Sequence, residues 1–352
     1  MKKKLLLGLL AAAAVSFTAC QKDEVISEMP QDNAIGFGTY VGRDAMTKVA
    51  SIDTEAKLEA DTRGFGVFAY YTSNSQWDGT ATTFTSNFMN NQQVKYTTIW
   101  DYTPKKYWPK ASTDKISFLA YYPWTESTTL NNGEIPFTLS NKIPEQIDLM
   151  YNTNENCDNL DKNSTVVSFD FGHALSRIGF KASAPAATAD ANTNITINQV
   201  TLTFAENTIY TTNNFNLVTK LWKSSASKAT SPISFYWKTS EAVDLEDPEI
   251  SGTLQNNTFT IGSAAQALND DNSYLMLPPV TGANYTIKVD YTVTTGGVTV
   301  TNSITTDPAT INLSIGTAYT FNLKIGINSI EFDVDSVANW TPAGSETDVT
   351  IQ

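Results

Sequence analysis

The sequence has almost no cysteine and almost no histidine. Its 352 residues include two cysteines, Cys20 and Cys157, and one histidine, His173. Zinc sites built on two or three histidines are excluded by that count. A Ser-His-Asp triad would have to use His173, and the chain carries no Gly-x-Ser-x-Gly elbow. No glycine-rich loop ending in Lys-Ser or Lys-Thr is present, and Gly64-Phe65-Gly66 lacks the third glycine of a dinucleotide site. Basic residues are scarce too, 23 against 36 acids, for a formal net charge of −13. An acidic surface repels phosphate backbones and anionic headgroups, so nucleic acid is not an expected partner. Long hydrophobic runs are missing as well. The apolar stretch from Leu5 to Val15 falls short of the ~20 residues that span a bilayer.

That stretch still carries information. Lys2, Lys3 and Lys4 precede it and small residues follow it, the order of a secretory signal peptide over residues 1–19. Phe17-Thr18-Ala19-Cys20 resembles the bacterial lipoprotein signal, with Phe17 in the place of the usual leucine. The resemblance implies cleavage before Cys20, acylation of Cys20 and a lipid anchor in the outer membrane. Removing the signal takes away three lysines and no acid, moving the formal charge from −13 to −16. With Cys20 acylated, Cys157 has no partner for an intrachain disulfide, so stability must come from core burial. Residues 20–33 read as an acidic tether containing Pro30. Lys22-Asp23-Glu24 within it resembles the acidic export signals of surface lipoproteins in fimbriated Gram-negative anaerobes.

What the chain has is apolar alternation. With 41% hydrophobic and 11% aromatic residues it can build real cores. Tyr319, Phe321, Leu323 and Ile325 alternate with Thr320, Asn322 and Lys324, the period-two mark of a half-buried strand. Tyr285 to Val293, Ile330 to Val334, Val200 to Phe204 and Val167 to Phe171 repeat the pattern. So do Phe65 to Tyr71 and Ile116 to Tyr122. Turns such as Asn131-Asn132-Gly133 and Thr295-Gly296-Gly297 separate the runs. Helical stretches are few, with Asp53 to Ala60 and Ser263 to Leu268 the candidates. The fold class is therefore all-β, with antiparallel sandwiches as the way to bury one face per strand. The alanine-rich segment from Ala182 to Ala187 is the expected boundary, dividing the chain into residues 34–184 and 185–352.

Candidate chemistry is thin. Asp244, Glu246, Asp247 and Glu249 crowd one segment and Asp270-Asp271 another, both in polar, turn-like contexts rather than in a cleft. Their spacing does not match an EF-hand. His173 reads as a hydrogen-bonded structural histidine at a strand end, and Cys157 as a bystander in a polar loop. No catalytic residue, cofactor or metal is expected. Trp77, Trp100, Tyr102, Tyr107, Trp108, Tyr121, Tyr122 and Trp124 concentrate in the first half. Exposed, they would form stacking platforms, giving an alternative reading as a surface lipoprotein that binds glycan or host protein. Flanking strands, they are core.

Several segments in order resemble the fimbrillin family, the subunits of type V pili in Bacteroides-like bacteria. They are Ile35-Gly36-Phe37-Gly38-Thr39-Tyr40, Gly64 to Tyr70, Tyr107-Trp108-Pro109 with Ile116 to Pro123, Asp148-Leu149-Met150 and Phe169 to Ile178. Leu275 to Pro279, Gly316 to Leu323 and Trp340 complete the set. The resemblance implies two transthyretin-like sandwiches and a polymerising role with other fimbrial subunits. It implies that an arginine-specific protease removes the first strand, here carrying Ile35, Phe37 and Val41, by cutting at Arg63 or Arg43. A terminal strand from another subunit then fills the groove. Thr347, Val349 and Ile351, alternating after Pro342-Ala343-Gly344, are the candidate donor residues.

Overall fold

A computed structural model describes residues 33–41, 54–158, 166–184, 192–223, 226–239, 252–269, 273–327 and 330–339. The first part runs β1 (Gly36–Tyr40), helix α1 (Glu55–Ala60), β2 (Phe65–Thr72), β3 (Met89–Tyr96), β4 (Trp100–Asp101) and β5 (Lys115–Tyr122). It continues through β6 (Glu134–Thr138), β7 (Met150–Cys157), β8 (Val166–Asp170), β9 (Gly172–His173) and β10 (Ser176–Ser183). Next come β11 (Asn194–Phe204), β12 (Tyr210–Asn216), β13 (Leu221–Trp222), β14 (Ser227–Lys228), β15 (Ile233–Thr239), β16 (Gly252–Leu254) and β17 (Thr258–Thr260). The chain closes with β18 (Gln266–Ala267), β19 (Leu275–Leu277), β20 (Val280–Thr295), β21 (Val298–Thr305), β22 (Ala309–Leu313), β23 (Thr317–Ile325) and β24 (Ile330–Asn339).

The expected strands form where the alternation placed them. Tyr319 to Ile325 lies in β23 and Tyr285 to Val293 in β20, with the Gly296-Gly297 turn at positive φ joining β20 to β21. The helix expected from Asp53 exists as α1, capped by the Thr54 side chain. Ser263 to Leu268 is not helical. Gln266 and Ala267 pair instead with Ala182 and Lys181 of β10, and the tertiary ladder overrides a weak local preference. Pairing is mostly antiparallel, but β1 with β8, β10 with β23 and β15 with β16 run parallel.

One sheet has the order β8-β1-β4-β3-β2-β5-β7-β9 and bends round its own core. Its two ends approach: the Asn154 side chain of β7 donates to the Ser168 carbonyl of β8 at 2.9 Å, and Asn152 donates to Asp170. Inside lie Phe37, Phe65, Phe118, Phe169 and Phe171. The β10-β23-β24 sheet and the β16-β15-β11-β20-β21 sheet enclose a second core. Across that core Phe180 of β10 meets Trp237 of β15 edge-on at 4.8 Å, and Phe321 of β23 meets Tyr285 of β20 at 5.3 Å. The cores share strands. Phe65, Val67, Phe118 and Ala120 point into the first, while Phe68, Leu119 and Tyr121 of the same strands point into the second. Pairing also crosses the expected boundary, since β6 joins β12 and β10 joins β18, β19 and β23.

Candidate functional site

The residues expected to be displaced sit at the centre of the first core. β1 lies between β8 and β4, in parallel register with β8 from Gly36 opposite Val166 to Tyr40 opposite Asp170, and antiparallel to β4 at Phe37 and Trp100. Ile35 and Val41 flank the strand, and both are fully buried. Phe37 is the hub of an aromatic cluster, with ring centroids 5.2 Å from Tyr102, 5.6 Å from Phe169, 5.9 Å from Phe118 and 6.2 Å from Phe65. The backbone is tied at both ends. Ile35 N–H donates to the Lys106 carbonyl at 2.8 Å, and the Tyr102 hydroxyl donates to the Ile35 carbonyl at 2.9 Å. At the far end Val41 N–H donates to Glu55 Oε2 at 3.1 Å, and the Thr39 hydroxyl donates to the same carboxylate. Glu55 opens α1, so the helix fastens the strand's exit.

Arg63 is described and held. Its guanidinium meets Asp61 through Nη2 at 2.6 Å and through Nε at 3.1 Å, and it reaches the Tyr122 hydroxyl at 3.3 Å. Burial alone would raise the Asp61 carboxyl, but hydrogen bonds from Arg63 and Tyr122 outweigh it and leave it below the ordinary carboxylate range. Burial, reinforced by Asp61, pushes the Tyr122 phenol up. The backbone after Arg63 is fastened as well. The Gln93 side chain donates to the Arg63 carbonyl at 2.9 Å, and Gly64 N–H donates to the Asp61 carbonyl at 3.2 Å. Gly64 has φ +64°, and a Cβ there would lie 2.0 Å from the Val94 carbonyl oxygen. Cys20, Arg43, Thr347, Val349 and Ile351 lie outside the described residues.

His173 and Asp148 form the pair that sequence spacing did not reveal. His173 Nδ1 lies 2.9 Å from Asp148 Oδ1, both side chains are buried, and Met150 pairs with His173 where β7 meets β9. Nearby Glu145 is paired with Lys142 at 3.4 Å. Most of the aromatic side chains concentrated in the first half are core, and Trp124 is half-buried against the second core. Trp77, Trp100, Tyr102, Trp108, Tyr121 and Tyr122 are all buried and offer no face to a sugar, whereas Tyr107 is exposed. Among the described residues no group of three or more His, Cys, Asp or Glu could hold a metal ion. No helix among them is long and apolar enough to cross a membrane.

The model of the fimbrillin-like family matches residues 47–340. The chain belongs to that family. The fimbrium subunit Fim1C of Phocaeicola vulgatus is 27% identical over 394 aligned residues, covering 98% of each chain. A crystal structure of a fimbrial protein from Bacteroides vulgatus is 23% identical and superposes with a TM-score of 0.68, covering 88% of this chain and 99% of that one. This last likeness concerns the fold. Like the fimbrillin-like match, it spans both cores rather than one.

Proposed function

We propose that the chain is a structural subunit of a cell-surface fimbria, exported as an outer-membrane lipoprotein through Cys20 and assembled by strand exchange. The position of β1 carries this reading. The first described strand lies between two partners, β8 and β4, and residues 42–53 connect it in sequence to Thr54 and α1. Severing that connection and withdrawing β1 would open a slot whose floor holds Phe65, Phe118 and Phe169 and whose walls offer two rows of backbone donors and acceptors. Such a slot suits an incoming strand with apolar side chains at alternate positions. Each fully buried Val, Ile or Phe contributes roughly 1.5–3 kcal/mol, so a few make a lasting junction. Thr347, Val349 and Ile351 of a neighbouring subunit are the proposed donors, and the two tandem transthyretin-like sandwiches are proposed with them. Assembly partners are other fimbrial subunits and an arginine-specific protease, and no catalytic role is proposed for the chain itself.

The hydrogen bonds on both sides of the Arg63–Gly64 peptide weigh against a cut there and favour Arg43. Digesting the purified chain with an arginine-specific protease tests this. A new N-terminus at Asp44, with ladders that resist detergent, is the expected result. Arg43→Ala should abolish the ladder and Arg63→Ala should not. A chain that stays monomeric with an intact N-terminus overturns the proposal.

A further inference from the structure

Beyond the slot of β1, a long strand edge is bare among the described residues. Among the described strands β21 pairs with β20 alone and ends the seven-stranded sheet. Val298 and Val300 on it are 67% and 53% exposed. These valines belong to the core-facing side. The register sets Val300 opposite Val293 and Ile304 opposite Val289, both buried in the second core, so an apolar face continues past its cover. Charge is absent from Tyr291 to Thr306 in a chain of net charge −13. Two other edges carry shields: the Asn152 and Asn154 side chains donate to carbonyls of β8, and β22 follows Asp307-Pro308. Eight uncharged residues rich in threonine and valine, without lysine or proline, form an unprotected template for another strand.

We propose that β21 is an interface between two copies of this chain, paired antiparallel about a twofold axis at Thr301. An acidic molecule meets its own copy with least repulsion where it has no charge. The strand also matches itself. A twofold axis normal to the sheet keeps each face on its own side, so even-numbered residues oppose even-numbered ones. Centred on Thr301, the pairing sets Val298 opposite Ile304 and Val300 opposite Asn302 on one face, and Thr299 opposite Ser303 on the other. No apolar residue of the row is left outside the overlap. Hydroxyl and β-branched cross-strand pairs of this kind are favourable. A seam two strands wide is small for a specific interface, so the association is weak, with Kd on the order of 10–1,000 μM.

Sedimentation of the purified chain from micromolar to millimolar concentration, with Cys20 and Cys157 replaced by serine, should show a monomer–dimer equilibrium. Thr301→Cys in that background should form a disulfide dimer under mild oxidation, because directly opposed Cα atoms lie about 4.5–5.5 Å apart, within disulfide reach. Thr299→Cys should not, its two copies being about 14 Å apart along the strands. Val300→Lys with Thr301→Lys should weaken dimerisation at least about tenfold by placing like charges face to face, with an unchanged circular dichroism spectrum. A chain monomeric at about 1 mM overturns the proposal. Equal crosslinking at positions 299 and 301 also overturns it. Association lost in the lysine variant without a Thr301 crosslink means a different strand on this edge, and overturns the twofold pairing too.

Discussion

At the residue scale the one cysteine among the described residues is chemically quiet. Cys157 ends β7 beside Asp158, and burial, then that carboxylate, push its thiol up to about 11. The thiolate is the nucleophile. At pH 8 a thiol at its ordinary value of 9.0 is roughly a tenth ionised, while one near 11 is about a thousandth ionised. Iodoacetamide should therefore label Cys157 about 100-fold more slowly in the folded chain than in the denatured one at pH 8. The folded-chain rate should climb about tenfold per pH unit until the pH passes 11. Mass spectrometry of the Cys157 peptide reads the rate, and equal labelling of the two states would refute the environment described. The sequence placed Cys157 in a polar loop; it missed the half-burial because β5 supplies the cover, with Ile116 in register opposite Cys157.

At the element scale β1 depends on a group far from it in sequence. Glu55 lies 14 residues beyond Val41 and receives both the Val41 N–H and the Thr39 hydroxyl. Glu55→Ala leaves those donors unpaired, at a cost of about 1–3 kcal/mol. Hydrogen exchange should show faster opening at Tyr40 and Val41 and none at Phe321 of β23. Uniform acceleration across both strands would show that β1 opens only with the whole molecule. Elements of this kind divide what could be read in advance from what could not. The alternation of Tyr285 to Val293 and Tyr319 to Ile325 is local, and it located β20 and β23. The same alternation in β2 and β5 announced one buried face, yet both faces are buried, because Phe68, Leu119 and Tyr121 join a second core most of whose residues lie from Ala174 onward. Ile35 and Phe37 were legible as a strand through the family resemblance. Their place between β8 and β4 was not, since parallel pairing follows from the path of the chain rather than from a residue pattern. The His173–Asp148 contact, 25 residues apart, likewise exists only once β7 and β9 close on each other.

For the whole molecule, the shared strands decide how stability is distributed. Two independent sandwiches would unfold in two steps, but β2 and β5 form a wall of both cores, and removing either core exposes one face of the wall. Phe118→Ala and Leu119→Ala probe the two sides of one strand, since Phe118 faces the core around Phe37 and Leu119 faces the core around Phe180. Each truncation should cost about 2–5 kcal/mol. If the cores unfold together, both variants move a single denaturant midpoint, and tryptophan fluorescence and far-ultraviolet circular dichroism report the same curve. Trp100 and Trp108 report the first core and Trp237 the second, so tryptophan-to-phenylalanine variants separate the signals. Separate transitions, with Phe118→Ala moving only the first and Leu119→Ala only the second, would show that β2 and β5 do not transmit the loss. The coupling bears on assembly. A slot opened by withdrawing β1 removes Phe37 from the first core, and through β5 the second core bears part of that cost. The emptied subunit should then melt below the intact one as a whole, and an inserted strand should restore both cores together.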